Sequence, residues 1–149
     1  MAKGDLDLMF NGLSQARDEF YLDAINAFKS LINDCPDSDL ADDALFNIGL
    51  CYYHLKQFSK AIESYQNILK EYPDSTISAL IETDEYGKTA AKALYNTIVC
   101  NLAESDLPAA QKNLELLKQY PDSYVVKNDK KITFEQLALN IIDYYKENK

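Results

Sequence analysis

Residues 61–75 read AIESYQNILKEYPDS, and two other stretches of the chain end in the same way. Residues 24–38 read AINAFKSLINDCPDS and residues 109–123 read AAQKNLELLKQYPDS. In each copy the apolar residues recur at the spacing of one helix face. The proline then forces the preceding residue out of the helical region, and the Asp-Ser pair can cap the next helix. Self-similarity of this kind predicts an array of helical repeats.

A second helical pattern precedes the central copy. Residues 42–55 read DDALFNIGLCYYHL, with apolar residues at helical spacing. Gly49 lies in the middle of this pattern, where glycine costs up to ~1 kcal/mol relative to alanine. A glycine retained there usually lets a neighbouring helix approach closely. Each unit is therefore predicted to be a helix, a short turn and a second helix.

This unit resembles the tetratricopeptide repeat, a pair of antiparallel helices about 34 residues long. The best copy is 42–75, residues 5–38 form a weaker copy, and 90–123 is the weakest. The residues of the best copy that match the repeat signature are Leu45, Ile48, Gly49, Tyr52, Ala61, Tyr65 and Pro73. The resemblance implies an all-α fold, a right-handed superhelical array of antiparallel helix pairs, with about three units in a single domain over 1–149.

The Pro-Asp-Ser endings look like those of a subgroup of repeats in bacterial envelope proteins, which include the Tol–Pal coordinator and the outer-membrane assembly lipoprotein. That subgroup is normally exported. This chain begins MAKGD, with neither an apolar signal region nor a lipobox cysteine. We therefore expect a cytoplasmic location, or a periplasmic one if a leader has been removed.

One segment departs from the array. Residues 76–89 read TISALIETDEYGKT and form an insertion before the third repeat. Its apolar residues could extend the next helix forward, with Gly87 allowing a kink. We expect a long or interrupted helix over about 76–103.

Two later helix starts carry local signals. Asp106 precedes Pro108, and proline is favoured in the first turn of a helix. Thr133 and Gln136 form a capping-box signature. It predicts a terminal helix over about 133–147, which would cover the apolar face that the last repeat of an array exposes.

The charge of the chain bears on its partners. Among 149 residues, 24 acidic against 15 basic side chains give a net charge of −9, which argues against nucleic-acid binding. Residues 1–75 carry 13 acidic and 6 basic residues, a net charge of −7. We expect a basic or amphipathic protein partner to be steered to this half. The apolar runs are too short for a membrane span.

The sequence has no catalytic signature, so we expect no enzyme activity, no cofactor and no metal; an undetected active site is the remaining alternative. The single histidine, His54, is read as a solvated or helix-capping residue. A run of aspartates lacks the glycine and glutamate of a calcium loop and suits a helix N-terminus: Asp37, Asp39, Asp42 and Asp43. The cysteines, read as structural thiols, are Cys35, Cys51 and Cys100.

The family geometry implies a concave wall built from the first helix of each pair. It places eleven positions on that wall, where their side chains would bind a partner. They are Met9, Leu13, Arg17, Phe46, Asn47, Leu50, Tyr53, His54, Leu94, Ile98 and Asn101. This set is largely apolar and fits a groove for a peptide or an amphipathic helix. The alternative is that some of these residues pack against the insertion or the terminal helix.

Some relatives bind acidic chaperone tails through a carboxylate clamp of Lys, Arg and Asn. Only Asn47 fits those positions here, so we expect no binding to such tails. The sequence therefore favours a non-catalytic scaffold or adaptor for another protein. The alternative is a structural component of a multiprotein assembly, for example in the cell envelope. Such a component would associate with further copies of itself as a homo-oligomer.

Overall fold

A computed structural model describes residues 4–81 and 84–148, which form seven helices and one small antiparallel sheet. The helices are α1 (Asp5–Arg17), α2 (Tyr21–Asp34), α3 (Ala41–His54), α4 (Phe58–Glu71), α5 (Thr89–Ala103), α6 (Leu107–Leu117) and α7 (Phe134–Glu147). The strands are β1 (Glu85–Tyr86), β2 (Tyr124–Lys127) and β3 (Lys130–Thr133). Within the described residues, no helix is long and apolar enough to cross a membrane.

The helices pack in successive antiparallel pairs, α1 with α2, α3 with α4 and α5 with α6. Each pair also packs on the next, through α2 against α3 and α4 against α5, and α7 closes the array against α5 and α6. This arrangement confirms the predicted fold class, a superhelical array of helix pairs. The small sheet is an addition to it.

The first two pairs depend on close contact at a glycine. A Cβ atom on Gly12 would lie 2.5 Å from the ring of Phe28, and one on Gly49 would lie 2.5 Å from the ring of Tyr65. No side chain fits at that distance. The prediction that Gly49 admits a neighbouring helix is confirmed, and Gly12 does the same in the first pair.

Two of the three cysteines are buried, which explains why their thiols act as structural groups. Cys51 and Cys100 lie in the hydrophobic core, at 2% and 0% exposure. Burial raises the pKa of the Cys51 thiol to about 11 and that of the Cys100 thiol to about 12. Both thiols therefore stay protonated at neutral pH, and they pack as small apolar side chains.

The expected long helix over 76–103 is wrong, because α5 begins only at Thr89. Before it, the Ile77 amide donates a hydrogen bond to the Gly87 carbonyl at 2.8 Å, so the insertion turns back on itself. Gly87 has a φ of 108°, which is outside the helical region and accessible mainly to glycine. Ile77, at 8% exposure, anchors the segment in the core.

The insertion ends in a sheet that the sequence analysis does not predict. β1 pairs with β2 and β2 pairs with β3, both antiparallel. β2 and β3 are joined by Asn128 and Asp129, which both have positive φ, as a two-residue hairpin turn requires. Val125 of β2 is buried in the same cluster as Leu94 and Phe134, so the sheet is attached to α5 and α7.

The two later helices begin where their local signals predict. The Asp106 side chain accepts a hydrogen bond from the Ala109 amide at 3.1 Å at the start of α6. The Thr133 hydroxyl accepts one from the Gln136 amide at 3.0 Å at the start of α7. Each side chain satisfies an amide that the helix itself leaves unpaired.

Candidate functional site

Two open cavities lie on the face formed by the first helix of each pair. The α1–α3 cavity has a volume of about 360 Å³, and the α3–α5 cavity, which β2 and α7 also line, has a volume of about 310 Å³. Leu50 of α3 lines both. We refer to the two cavities together as the concave groove.

The α1–α3 cavity has an apolar floor with basic side chains at its edge. Its lining residues are Leu13, Ala16, Arg17, Tyr21, Asn47, Leu50, Cys51, His54 and Ile81. Arg17 and His54 are exposed. The His54 ring stacks on Tyr21 with the ring centroids 5.1 Å apart and the planes 11° from parallel. The Asn47 side chain donates to the Asp43 carbonyl at 2.8 Å, which holds its amide against α3.

The α3–α5 cavity lies beside the sheet. Its lining residues are Phe46, Leu50, Glu85, Lys92, Tyr95, Asn96, Val125, Lys127, Phe134 and Leu137. Lys92 Nζ lies 2.7 Å from Glu85 Oε1 and 4.1 Å from the centroid of the Phe46 ring. Phe46 is 4% exposed and packs beneath this partly buried ion pair. Tyr95 is half-buried, and this burial raises its pKa.

The structure brings together six of the eleven predicted groove residues. Those that line the concave groove are Leu13, Arg17, Phe46, Asn47, Leu50 and His54. Tyr53 lies beside the groove without lining either cavity, half-buried, with its ring centroid 5.7 Å from that of Phe58. The first two repeats therefore supply all of the predicted residues that reach the groove.

Three predicted groove residues are core residues instead, so that part of the prediction is wrong. Met9 and Ile98 are 0% exposed and Leu94 is 1% exposed. Leu94 and Ile98 belong to the same core cluster as Phe134 and Ile142 of α7. The terminal helix covers the third repeat, as the alternative interpretation of these positions allowed.

Asn101 is also misplaced by the prediction. Its Oδ1 atom accepts a hydrogen bond from Asn113 Nδ2 at 2.9 Å, and it lines a separate cavity with residues of α4 and α6. It is 6% exposed. This asparagine joins the two helices of the third pair and does not face the groove.

The sequence analysis missed exposed apolar residues of α1 and several residues that line the concave groove. On α1, Leu6 and Phe10 are 41% and 49% exposed and lie on the same helix face as Leu13 and Arg17. Counting back from Leu13 by three and then four residues would have found them. Ile81, Lys127 and Leu137 carried no local signal, because the insertion, the hairpin and α7 reach the groove only through long-range packing. Tyr95 was also missed, although it lies on the first helix of the third pair at one of the clamp positions.

The acidic run before α3 has a structural role. The Thr89 hydroxyl donates to Asp42 Oδ2 at 2.6 Å, which ties the start of α5 to the start of α3. Burial raises the pKa of Asp42. Among the residues that the structure describes, no group of three or more His, Cys, Asp and Glu side chains is arranged to hold a metal ion.

Comparison with known proteins agrees with the fold. Residues 43–75 match the model of the tetratricopeptide repeat family. The type III secretion chaperone SycD of Yersinia enterocolitica, solved with a peptide of the translocator YopD, superposes with a TM-score of 0.63 at 18% identity, over 95% of this chain and 92% of that one. The same chaperone in an alternative dimer gives 0.65 at 17% identity, over 99% and 96%.

A third solved structure is the Hsp90 co-chaperone Cns1 of Saccharomyces cerevisiae. It superposes with a TM-score of 0.67 at 14% identity, over 97% of this chain and 39% of that one. No curated protein sequence matches the chain. Residues 43–75 are thus a tetratricopeptide repeat, and the chain as a whole has the fold of tetratricopeptide repeat proteins. The other repeat boundaries and the likeness to the envelope subgroup stay predictions.

Proposed function

We propose that this protein is a non-catalytic scaffold that binds a peptide or an amphipathic helix of another protein in the concave groove. The observation that carries the proposal is the pair of open cavities that share Leu50. Each cavity is large enough for a bulky apolar side chain. A segment with two such side chains on one face would occupy both, which is how an amphipathic helix is recognised in a groove.

The apolar face of α1 supports the proposal. Leu6 and Phe10 are large apolar residues that stay exposed on the face of α1 that carries Leu13. Apolar side chains grouped on a protein surface mark interaction sites more often than isolated ones do. A similarly folded protein, SycD, has been solved with a bound peptide of its translocator.

The test uses a displayed library of random peptides selected on the wild-type protein. The selected peptides are then measured by fluorescence anisotropy against Leu50→Asp and against a matched control, Leu116→Asp, which places the same charge at a 40%-exposed leucine on α6. We expect Leu50→Asp to weaken binding at least tenfold and the control to leave it unchanged. Circular dichroism must show both variants folded. Equal binding to Leu50→Asp and the wild type would contradict the proposal.

A second candidate is self-association, with the protein as a structural component of a larger assembly. The observation that favours it is the exposed apolar pair at the α1–α2 turn, Phe20 at 59% and Leu22 at 64%. SycD, which has a similar fold, has been solved as a dimer. A place in a bacterial cell-envelope assembly, with a periplasmic location, belongs to this second candidate.

Light scattering over a range of concentrations tests this second candidate. We expect the wild type to gain mass with concentration and Phe20→Ser/Leu22→Ser to remain a monomer. A wild type that is monomeric throughout would exclude the candidate.

A further inference from the structure

The concave groove is locally basic, although the whole chain is acidic. The described residues that line the α1–α3 cavity include Arg17 and His54 and no acidic residue. The α3–α5 cavity is lined by two lysines, Lys92 and Lys127, and one acid, Glu85. Lys92 Nζ lies 2.7 Å from Glu85 Oε1, so that pair is close to neutral. An exposed arginine therefore lies at one end of the groove and an exposed lysine at the other.

The local structure explains why these two charges line the groove. Arg17 follows Leu13 by four residues, so both lie on the same face of α1. Lys127 follows Val125 by two residues in β2, so both lie on the same face of the strand. Val125 is buried against α5 and α7, and this places Lys127 beside the same cavity.

Four aspartates of the first half line a cavity other than the concave groove. That cavity lies between the first two repeats and the insertion. It is lined by Asp37 and Asp74 of the Pro-Asp-Ser endings and by Asp39 and Asp42, which follow the first ending. At physiological ionic strength the field of an exposed charge is screened over about 8 Å. A segment seated in the groove is therefore influenced by the side chains that line it more than by the net charge of −7 on residues 1–75.

We infer that the segment bound in the concave groove is acidic and amphipathic, with apolar side chains against Leu13 and Leu50 and carboxylates near Arg17 and Lys127. This inference rests on the proposed function and replaces the basic partner expected from net charge. The segment needs no free C-terminus, because the groove lacks a carboxylate clamp. Asn47 fits such a clamp, but the other clamp positions hold residues that do not fit it: Met9, Leu13, Asp43, Ala91 and Tyr95.

The test compares two acetylated and amidated helical peptides of about 14 residues, which is about four helical turns. Both carry leucines on one face, and the flanking positions are glutamate in one peptide and lysine in the other. Fluorescence anisotropy at physiological salt gives the two dissociation constants. We expect the glutamate peptide to bind about tenfold more tightly, since each edge charge contributes a few-fold in affinity.

A charge reversal separates the groove from the rest of the surface. Arg17→Glu/Lys127→Glu should reverse the preference between the two peptides. The matched control, Lys29→Glu/Lys112→Glu, makes the same change in net charge at exposed lysines of α2 and α6 and should preserve the preference.

The outcomes distinguish the inference from the proposed function. If both peptides bind equally well to the wild type and both are lost with Leu50→Asp, the groove is a binding site and the acidic partner is wrong. The same conclusion holds if the control double variant changes the preference as much as the groove variant does. If neither peptide binds, or if Leu50→Asp has no effect, the inference fails together with the proposed function.

Discussion

Leu13, Leu50 and Ile98 occupy the same position in the three repeats, yet their surroundings differ. Leu13 and Leu50 are half-buried and line the concave groove, whereas Ile98 is 0% exposed in a core cluster that includes Ala138 and Ile142 of α7. The first two repeats present this position to solvent, and the third uses it to hold the terminal helix. One repeat position can therefore bind a partner or close the array, depending on whether another repeat or a terminal helix comes next in the chain.

The contact between the two helices of each pair differs in the same way. In the first two repeats a glycine faces an aromatic ring, Gly12 with Phe28 and Gly49 with Tyr65. In the third repeat the corresponding residues are Thr97 and Asn113. The Thr97 hydroxyl donates to the Ala93 carbonyl at 2.8 Å. Without a ring opposite, this position accepts a side chain, which explains why the third copy of the signature is the weakest.

The largest effect should come from removing α7. A chain that ends before Phe134 loses three fully buried side chains of that helix and exposes Leu94 and Ile98. At about 1.5–3 kcal/mol for each large apolar side chain that loses its burial (Phe134, Ile142, Leu94 and Ile98), the third repeat should lose more than about 5 kcal/mol. Hydrogen exchange should show α5 and α6 unprotected while α1–α4 remain protected. Unchanged protection in α5 would show that the third repeat does not depend on its covering helix.

A smaller effect separates two equivalent positions. Ile98→Ala should lower the free energy of unfolding by about 2–5 kcal/mol, because it leaves a cavity in the core. Leu50→Ala should cost about 1 kcal/mol, because Leu50 is already partly in contact with water. Urea denaturation of the two variants measures the difference. Equal losses would mean that the groove position is as well packed as the core position.

The next prediction concerns the glycine contact. Gly49→Ala should destabilise the protein by about 1–3 kcal/mol, because its Cβ would lie 2.5 Å from Tyr65 and force the ring or the helix to move. Gly4→Ala is the control, since a Cβ built there meets no atom within 4 Å from described residues beyond its chain neighbours. Thermal unfolding compares the two. A neutral Gly49→Ala would mean that the helix pair can open at no cost.

The smallest effect compares the aromatic residues of the first two repeats. Tyr65 corresponds to Phe28, and its hydroxyl is buried with no hydrogen-bond partner among the described residues. Tyr65→Phe removes this unpaired group and should leave stability unchanged or raise it by up to about 1 kcal/mol. Urea denaturation checks the change. A loss of more than about 1 kcal/mol would indicate that the hydroxyl has a partner, such as a buried water.

The starts of two helices could be predicted, but only about half of the residues that line the groove could. The starts of α6 and α7 follow from Asp106 and Thr133, whose side chains cap amides three residues away. The groove positions of the first two repeats follow from helical spacing. Leu94 and Ile98 could not be assigned from spacing, because burial beneath α7 depends on how the end of the chain packs.

The sequence by itself determined the repeat, its proline stops and the caps of α6 and α7, because these signals act within about one helical turn. The expectation that the Asp-Ser pairs cap the next helix is wrong, since α3 has Leu40 at its N-cap with no side-chain cap and a strand follows Ser123. Only the tertiary structure decided that the insertion forms β1 and not helix, since Glu85 pairs with Val125 in a distant part of the chain. It also decided that α7 covers the third repeat and that Arg17 and Lys127 share one groove. Those arrangements depend on contacts between residues far apart in sequence, which local periodicity does not encode.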